Sequence, residues 1–336
     1  MTTTNLDPLG DATDVRRIGG IPISLVRSES TLLVVLLAIV LLIGGILVPS
    51  VFQLSNLANM SRDAAVVGLG AIGVTFVLLT GELDLSIGSI MSLSLVVGGE
   101  FVDEGPVLAL LVTAFCGLVL GAVNGLAVGY GRVNSLIMTL GTLALYSGLA
   151  SVVTKGQAIY LKDAVTYTWF GRGTVLGIPV PVLIFAVVTA ITTLVLTSTR
   201  IGRMIYFTGA NPVAAWHSGI NVARTKLVAF MVSGLLAAMC GPLLASLTRR
   251  ITPEMGSGFE LGAIAVAVLG GTALAGGRGT AIGTAVGALI FGLVSNILAL
   301  SGLSTYTNQV VRGCLLVVVV ILINRVVRHQ GVRSAS

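Results

Sequence analysis

The amino-acid sequence predicts an all-α fold, a polytopic bundle of transmembrane helices. Of its 336 residues, 55% are hydrophobic and only 10% are charged, whereas an ordinary soluble domain has about 25% charged residues. The runs without Asp, Glu, Lys or Arg are 30–61, 105–131, 133–154, 173–199, 227–248 and 279–311. Roughly 20 apolar residues in a helix cross a hydrocarbon core of about 30 Å. These runs are continuous rather than alternating, which favours helices over a β-barrel and excludes a soluble protein.

Charged residues and Gly or Pro positions divide these runs into about ten spans. We expect the spans at 31–49, 64–80, 86–100, 107–129, 135–153, 180–198, 227–247, 261–275, 280–300 and 309–325. Two connections, at 81–86 and 276–279, are so short that each neighbouring pair could be one broken or re-entrant segment. The number of spans would then fall to about eight. The segment 31–48 lacks a small-residue cleavage site, so we interpret it as a retained first span.

The positions of Lys and Arg predict the orientation, because cytoplasmic loops retain positive charge during insertion. An N-terminus inside the cell places 12 basic residues on the inner side and 6 on the outer side, with Arg312 in the last span. Both termini are therefore expected in the cytoplasm. The net charge of +6 follows from this topology and does not indicate a nucleic-acid partner. The predicted organisation is a tail at 1–29, a transmembrane domain at 30–326 with a cytoplasmic loop at 200–226, and a tail at 327–336.

The sequence offers no catalytic or metal-binding constellation. Cys116, Cys240 and Cys314 each fall within an apolar span and are expected to be buried hydrophobic residues. His217 and His329 are the only histidines, and the chain has no Gly-x-x-x-x-Gly-Lys-Ser/Thr phosphate loop, so it cannot itself be an ATPase of that type. We expect no enzymatic activity, and no metal or cofactor bound by this chain.

Glycine recurs every fourth residue in two of the predicted spans. This spacing aligns the glycines on one helix face, where a neighbouring backbone can approach closely within lipid. We favour packing between helices of one subunit, with a subunit interface or a sliding gate as the alternatives. The glycines concerned are Gly117, Gly121, Gly125 and Gly129 in one span, and Gly279, Gly283 and Gly287 in the other.

Two acids and two serines interrupt an apolar pair of helices in the segment 81–89. Asp84 or Ser86 could cap the following helix, whose first-turn amides lack partners. Alternatively, the turn lies within the membrane, and Glu82, Asp84, Ser86 and Ser89 face a translocation path. The sequence leaves open whether this turn lies at the membrane surface or in the middle of the membrane.

The segment 200–226 is too long for a plain hairpin connection. It contains a turn at Asn211 followed by a short helix closed by glycine. We favour docking of this helix onto a soluble partner, with a position on the lipid head groups, Trp216 at the boundary, as the alternative. The docking residues would be Asn211, Ala214, Ala215, Trp216 and Gly219.

Four motifs, in this order, resemble the permease subunits of bacterial ABC importers for ribose, xylose, arabinose and related monosaccharides, within the branched-chain amino acid permease superfamily. The similarity extends from about residue 32 to residue 325. The motifs are Gly-Glu-Leu-Asp-Leu-Ser-Ile-Gly-Ser at 81–89, Asn-Ser-Leu-Ile-Met-Thr-Leu-Gly-Thr at 134–142, Ser-Gly-Ile-Asn-Val at 218–222, and Val-Leu-Gly-Gly-Thr-Ala-Leu-Ala-Gly-Gly-Arg-Gly at 268–279.

The resemblance implies a type II ABC importer-like permease in the bacterial cytoplasmic (inner) membrane. It implies a homodimer of this chain, a cytoplasmic ABC ATPase that binds ATP and Mg, and an extracytoplasmic sugar-binding protein. The segment 214–219 resembles the coupling helix that contacts the ATPase. The sequence departs from the family at Glu82, where Gly is more common, and at Pro212 and Val213, where a Glu is common just before the alanine pair.

A sugar is neutral and rich in hydroxyl groups, so its path needs walls that form hydrogen bonds but carry no charge. For each polar residue in a span, the alternative is a hydrogen bond to a neighbouring helix. The candidates for the path are Asn124, Asn134, Ser135, Thr139, Thr142, Ser295, Asn296 and Gln309.

Two other functions are compatible with this architecture. The first is an importer for branched-chain amino acids or nucleosides, although a zwitterion would favour charged contacts that the spans offer only sparsely. The second is an ion-coupled secondary transporter, which would need an ionisable residue at mid-membrane. Only Glu82, Asp84 and Arg312 come near that position in the predicted topology.

Overall fold

The structure is a computed structural model that describes residues 17–18, 21–22, 29–161 and 165–302, together with Thr307, Val310 and Gly313. The predicted tails and the predicted span at 309–325 lie outside the described residues, apart from the positions just named. The same holds for Gln309, Arg312, Cys314 and His329.

The described residues are predominantly helical. The helices are α1 (Glu29–Leu47), α2 (Leu54–Leu79), α3 (Ile87–Gly99), α4 (Pro106–Gly129), α5 (Ser135–Thr154), α6 (Val165–Arg172), α7 (Val180–Ser198), α8 (Arg200–Ala210), α9 (Pro212–His217), α10 (Val222–Thr248), α11 (Phe259–Leu269) and α12 (Ala281–Leu300). A 3-10 helix covers Pro49–Phe52. Two-residue strands form three antiparallel pairs: β1 (Arg17–Ile18) with β2 (Ile21–Pro22), β3 (Ile159–Tyr160) with β6 (Arg250–Ile251), and β4 (Thr174–Val175) with β5 (Ile178–Pro179).

Within the described residues, six helices are long and apolar enough to cross a membrane, namely α2, α4, α5, α7, α10 and α12. Helices α1, α3 and α11 are also apolar but have shorter candidate segments. With 13 and 11 residues, α3 and α11 extend only about 20 and 16 Å, less than the hydrocarbon thickness of about 30 Å. The chain is a polytopic helical membrane protein, and the prediction of about ten spans is not confirmed.

Three of the predicted boundaries are wrong by five residues or more. Helix α10 begins at Val222 rather than at residue 227, because Asn221 caps it by accepting from the amide of Arg224. Helix α2 begins at Leu54 rather than at residue 64, because no Gly or Pro interrupts its first turns and Arg62 finds partners on the helix surface. Its guanidinium donates to Asn59 Oδ1 at 3.0 Å, so the charge does not end the helix. Helix α11 ends at Leu269 rather than at residue 275, because Gly270 and Gly271 follow it and Gly271 has a φ of +90°, which favours glycine.

Helices α2 and α10 form the centre of the bundle. Helix α2 is buried along almost its whole length from Ala64 to Leu79, between α10, α11, α12 and α7. Helix α10 packs most extensively against α4 and also contacts α2, α3 and α6. Helix α3 is enclosed by α4, α5 and α10. A segment surrounded in this way on all sides is shielded from lipid, so polar residues next to it need partners within the protein.

The two ends of the bundle differ. One end carries α8 and α9, the C-termini of α2, α4 and α7, and the N-termini of α5, α10 and α12; we call it the α9 end. The opposite end carries α6, the β3–β6 pair and the N-termini of α4 and α11; we call it the β6 end.

Candidate functional site

The turn between α2 and α3 lies inside the bundle. Asp84 and Ser86 have no exposed surface, and the turn contacts α4, α5 and α10 through side chains. Two of its contacts on α10 are seven residues apart, from Lys226 to Ser233, which corresponds to about 10 Å along the helix axis. The surrounding helices therefore shield the turn from lipid.

Asp84 is the centre of a buried hydrogen-bond network. Its Oδ1 accepts from the amide of Ser86 at 3.0 Å and from the Ser86 hydroxyl at 2.6 Å. Its Oδ2 accepts from the hydroxyl of Ser233 on α10 at 2.9 Å. Asn124 on α4 donates its Nδ2 to Ser86 Oγ at 2.7 Å. The network joins the turn to two long helices and satisfies a carboxylate that would be costly to bury unpaired.

Neither Asp84 nor Ser86 caps α3 with a side-chain hydrogen bond, contrary to the capping that the sequence suggests. Ser86 stands at the N-cap position of α3, but its side chain makes no capping hydrogen bond to the first turn of the helix. The carboxylate of Asp84 binds the amide of Ser86 instead, one step before the helix begins. The Oδ1 atom of Asn124 has no hydrogen-bond partner among the described residues.

Glu82 faces the α9 end and forms an ion pair with Lys226 on α10. The two side chains are only 16% and 20% exposed. They lie at the edge of a cavity of about 960 Å³, which also reaches α9 and the N-termini of α5 and α10; we call it the α9-end cavity. Its lining includes Glu82, Lys226, Arg132, Asn134, Trp216 and Asn221.

Ser135 and Thr139 lie beside the turn, where Ser135 Oγ accepts from the amide of Leu83 at 3.2 Å. Thr139 is buried and donates to the carbonyl of Ser135 at 2.7 Å, with Leu83 O more distant at 3.5 Å. Asn134 caps α5 by accepting from the amides of its first turn. Asn296 exchanges two hydrogen bonds of 2.8 and 2.9 Å with Asn56 on α2, far from the turn. The structure therefore does not bring Asn296 together with the other candidates.

Helix α9 is a short helix of about one and a half turns with a cap at each end. Asn211 is its N-cap and accepts from the amide of Ala214 at 3.0 Å, and Gly219 ends the segment with a φ of +81°. Ala215 is buried against the rest of the chain, whereas Trp216 is 66% exposed. An exposed aromatic side chain on a short, rigidly capped helix is a surface suited to a protein partner.

Helix α8, which precedes α9, contacts both of the short connections between predicted spans, at 81–86 and at 276–279. Tyr206 donates its hydroxyl to the carbonyl of Gly279 at 2.7 Å, and burial raises the pKa of this phenol, so it stays a donor. A side chain at Gly209 would meet the backbone of Leu79 and of Gly277. The backbone of α8 is thus in direct contact with the backbone of the turn after α2 and with that of the loop after α11.

Both glycine stripes pack within this chain. A Cβ atom at Gly117, Gly121, Gly125 or Gly129 would meet backbone atoms of α10, in steps that follow α10 in the opposite direction. A Cβ atom at Gly279, Gly283 or Gly287 would meet Thr272, Gly270 or Val266. These contacts permit close approach of α4 to α10 and of α12 to the end of α11.

Sequence reasoning missed several residues of the site. Lys226 entered only as a charge that orients the loop, and Ser233 was not considered, although it is a lone serine before a glycine in an apolar helix. Gly209 lies in a predicted loop, where a glycine gives no signal of packing. The partner of Lys226 is 144 residues away in the chain, and the partner of Ser233 is 149 residues away. Local sequence patterns therefore could not reveal these contacts.

The buried polar turn, the half-length helices beside it and the glycine-mediated contacts define a membrane protein of the permease class. The chain belongs to the family described as "Branched-chain amino acid transport system / permease component", whose sequence profile matches residues 56–320. No solved structure matches the chain significantly.

Curated relatives of the chain cover most of its length. It is 42% identical over 289 residues to the ribose import permease protein RbsC of Bacillus subtilis (strain 168), covering 85% of this chain and 90% of the relative. It is 36% identical over 302 residues to RbsC of Escherichia coli (strain K12), with 88% and 94% covered. The D-allose transport system permease protein AlsC of Escherichia coli (strain K12) is 35% identical over 291 residues, with 85% and 89% covered.

Proposed function

We propose that this chain is the membrane-spanning permease subunit of an ATP-driven importer for a monosaccharide of the ribose type. The observation that carries the proposal is the identity of 42% over 289 residues with a ribose import permease. The family description mentions branched-chain amino acids, but the three relatives described above are named for ribose and allose.

The proposed assembly consists of two copies of this chain, a cytoplasmic ABC ATPase that binds ATP and Mg, and an extracytoplasmic sugar-binding protein. In this arrangement the α9 end faces the cytoplasm, both termini are cytoplasmic and the chain crosses the bacterial inner membrane about ten times. The predicted count of 12 Lys and Arg on the inner side against 6 on the outer side supports this orientation, and residues near the termini, such as Arg16, Arg17 and Arg27, supply the difference. The α9-end cavity then opens towards the cytoplasm.

In this proposal α9 is the coupling helix. Its exposed Trp216 contacts the ATPase, and Ala215 holds the helix against the membrane domain. Movement of α9 passes to α8, whose Gly209 lies against the backbone of Leu79 and Gly277. The turn at 81–86 and the loop at 270–280 therefore move with the coupling helix, and the path opens on one side of the membrane at a time.

Reconstitution tests the proposed function. The chain is incorporated into proteoliposomes with its ATPase and supplied with the binding protein and D-ribose. We expect uptake that requires ATP hydrolysis and the binding protein. Uptake that continues without ATP and stops when the proton gradient is dissipated would assign the chain to secondary transport instead.

The coupling role of α9 is tested by Trp216→Ala in the same proteoliposomes. Loss of a buried interface aromatic typically costs about 2 kcal/mol or more, so we expect uptake to fall tenfold or more with unchanged thermal stability. Val187→Ala is the matched control, because Val187 is an exposed apolar residue in the middle of α7, away from both ends of the bundle. Equal uptake by both variants would contradict the assignment of α9.

A further inference from the structure

A small polar pocket lies on the opposite side of the turn from the α9-end cavity. It has a volume of about 140 Å³ and opens towards the β6 end, between α3, α5 and the loop that leads into α11; we call it the β6-end pocket. Its polar lining is Ser89, Ser92, Ser147, Ser151, Glu254, Ser257 and Glu260. Neither Lys nor Arg contributes to the lining that the described residues form.

The serine hydroxyl groups of this pocket retain hydrogen-bonding capacity. Ser92 accepts from the amide of Gly256 at 2.8 Å, which leaves its O–H free to donate. Ser89 donates to the carbonyl of Ser86 at 2.8 Å, which leaves its lone pairs free to accept. The side chain of Ser147 forms no hydrogen bond within the described residues. The pocket thus presents both donors and acceptors to a ligand.

The two carboxylates give the pocket a second kind of acceptor. Glu260, in the first turn of α11, lies against Gly88 of α3, and Glu254 stands exposed at the mouth. An ionised carboxylate accepts a short, strong hydrogen bond from a hydroxyl group. A ligand with several hydroxyl groups would therefore find an acceptor on one side and serine hydroxyl groups on the other.

The pocket lies directly above the turn that separates it from the α9-end cavity. Gly88 and Ser89 border the pocket, Glu82 borders the cavity, and between them Asp84 and Ser86 are fully buried. The turn is therefore a closed barrier between two polar spaces in this conformation. A substrate that entered from the β6 end would stop in the pocket until the turn moved.

The chemistry of the lining selects among ligand classes. The ammonium group of a branched-chain amino acid could pair with a glutamate, but its carboxylate would meet no Lys or Arg in the described lining and its apolar side chain would lie among serine hydroxyl groups. A nucleoside base binds best by stacking on an aromatic ring, and among the described residues the nonpolar side chains that line the pocket are the aliphatic Leu143 and Pro253. At about 10–15 Å³ for each water-sized group, the pocket has room for about ten such groups, about the number of non-hydrogen atoms in a pentose.

The geometry points to the β6-end pocket as a binding site for one neutral monosaccharide, occupied after delivery and before the turn at 81–86 opens. This inference rests on the proposed function, because it names the place where the imported sugar is held. Ser92, Ser147 and Glu260 are its hydrogen-bonding residues.

Transport by the assembled importer tests the inference, with D-ribose as the probe. We compare Ser147→Ala and Glu260→Gln with wild type in proteoliposomes that contain the ATPase and the binding protein. Loss of one hydrogen bond predicts uptake at subsaturating D-ribose lowered about fivefold for Ser147→Ala, and by tenfold or more for Glu260→Gln. Ser94→Ala is the matched control, because Ser94 is buried on α3 outside the pocket and should retain wild-type uptake.

A second measurement reports occupancy directly. Ser147→Cys, in a chain whose Cys116, Cys240 and Cys314 are replaced by Ala, is labelled with a small thiol reagent in the full complex. We expect D-ribose delivered by the binding protein to slow labelling threefold or more. Unchanged labelling would overturn the inference, and so would uptake by the pocket variants equal to that of Ser94→Ala. In either case, ATP-dependent uptake of D-ribose by the wild type would leave the proposed function intact. Absence of wild-type D-ribose uptake would instead refute the proposed function.

Discussion

Gly277 donates its backbone amide to the carbonyl oxygen of Leu79 at 3.0 Å, which joins the loop after α11 directly to the C-terminus of α2. This bond satisfies one of the last carbonyl groups of α2, which lack partners within the helix. Gly277 has a φ of +72°, a conformation that favours glycine. Gly209 of α8 lies against both residues, so three separate segments meet at backbone contact.

Gly209→Ala should disturb this meeting point. The added Cβ would collide with the carbonyl of Leu79 and the amide of Gly277, and neither can yield without stretching their hydrogen bond. We expect a loss of about 1–3 kcal/mol in stability, as for overpacked cores, and a larger loss of ATP-driven uptake. Thermal unfolding in detergent and uptake in proteoliposomes measure the two effects.

Gly148→Ala is the control for this substitution. Gly148 lies in helix α5, and beyond the neighbouring backbone of its own helix no atom of the described residues lies within 4 Å of the position that a Cβ would occupy. Alanine has the higher helix propensity, so this variant should be at least as stable as wild type. If Gly209→Ala unfolds at the same temperature as Gly148→Ala, the close contact between α8 and the two connections is not required for stability.

The Glu82–Lys226 ion pair should hold the turn against the N-terminal part of α10. Both side chains are mostly buried, so removing one charge leaves the other without its partner. We expect Glu82→Gln to lower stability by about 1 kcal/mol, near the upper limit for exposed pairs. The single changes Glu82→Lys and Lys226→Glu should each destabilise the chain, and the exchanged pair that combines them should recover at least half of their summed loss. Chemical or thermal unfolding of the single and double variants measures the coupling free energy.

Arg132→Gln is the control that distinguishes the loss of the Glu82–Lys226 ion pair from a general effect of removing a charge. Arg132 lines the same α9-end cavity and is exposed, so its loss should change stability little. A double variant no more stable than the sum of the two single changes would show that Glu82 and Lys226 act independently.

The sequence predicts the helices better than the depth of the site. Charged residues together with Gly and Pro positions locate α4, α5, α7 and α12 to within one residue, because lipid demands continuous apolar helices. The start of α2 is not predicted in this way. Arg62 lies in a part of the helix with polar partners, so its charge does not mark the helix end. Neither the burial of the turn nor the bond between Asp84 and Ser233 could be predicted, because spacing along the chain carries no information on which distant helix encloses a turn.

Asp84→Ala should be the most damaging single change in the turn. It removes the acceptor for three hydrogen bonds and leaves the hydroxyl groups of Ser86 and Ser233 without this partner. A loss of about 1–3 kcal/mol is expected for each buried group that stays unsatisfied. Ser233→Ala, which removes only one bond, should cost about 1 kcal/mol. The yield of folded protein and the unfolding temperature in detergent measure both.

Thr208→Val provides the opposite expectation. The Thr208 hydroxyl is buried and has no hydrogen-bond partner among the described residues, so its replacement by a methyl group of similar shape should be neutral or stabilising. If Thr208→Val and Ser233→Ala have the same effect on the unfolding temperature, the bond from Ser233 to Asp84 contributes nothing measurable to stability.

Gly121→Leu should force α4 away from α10. A side chain at this position would meet the carbonyl of Phe230 and the Cα of Gly234, both part of the α10 backbone, so no side-chain rotation can relieve the clash. We expect a loss of several kcal/mol, beyond the range of about 1–3 kcal/mol for smaller overpacking, seen as a lower unfolding temperature in detergent. Gly148→Leu introduces the same side chain into α5 where a Cβ meets no atom, and it should unfold close to wild type. Equal unfolding temperatures for the two leucine variants would contradict the role of the glycine stripe in helix packing within the chain.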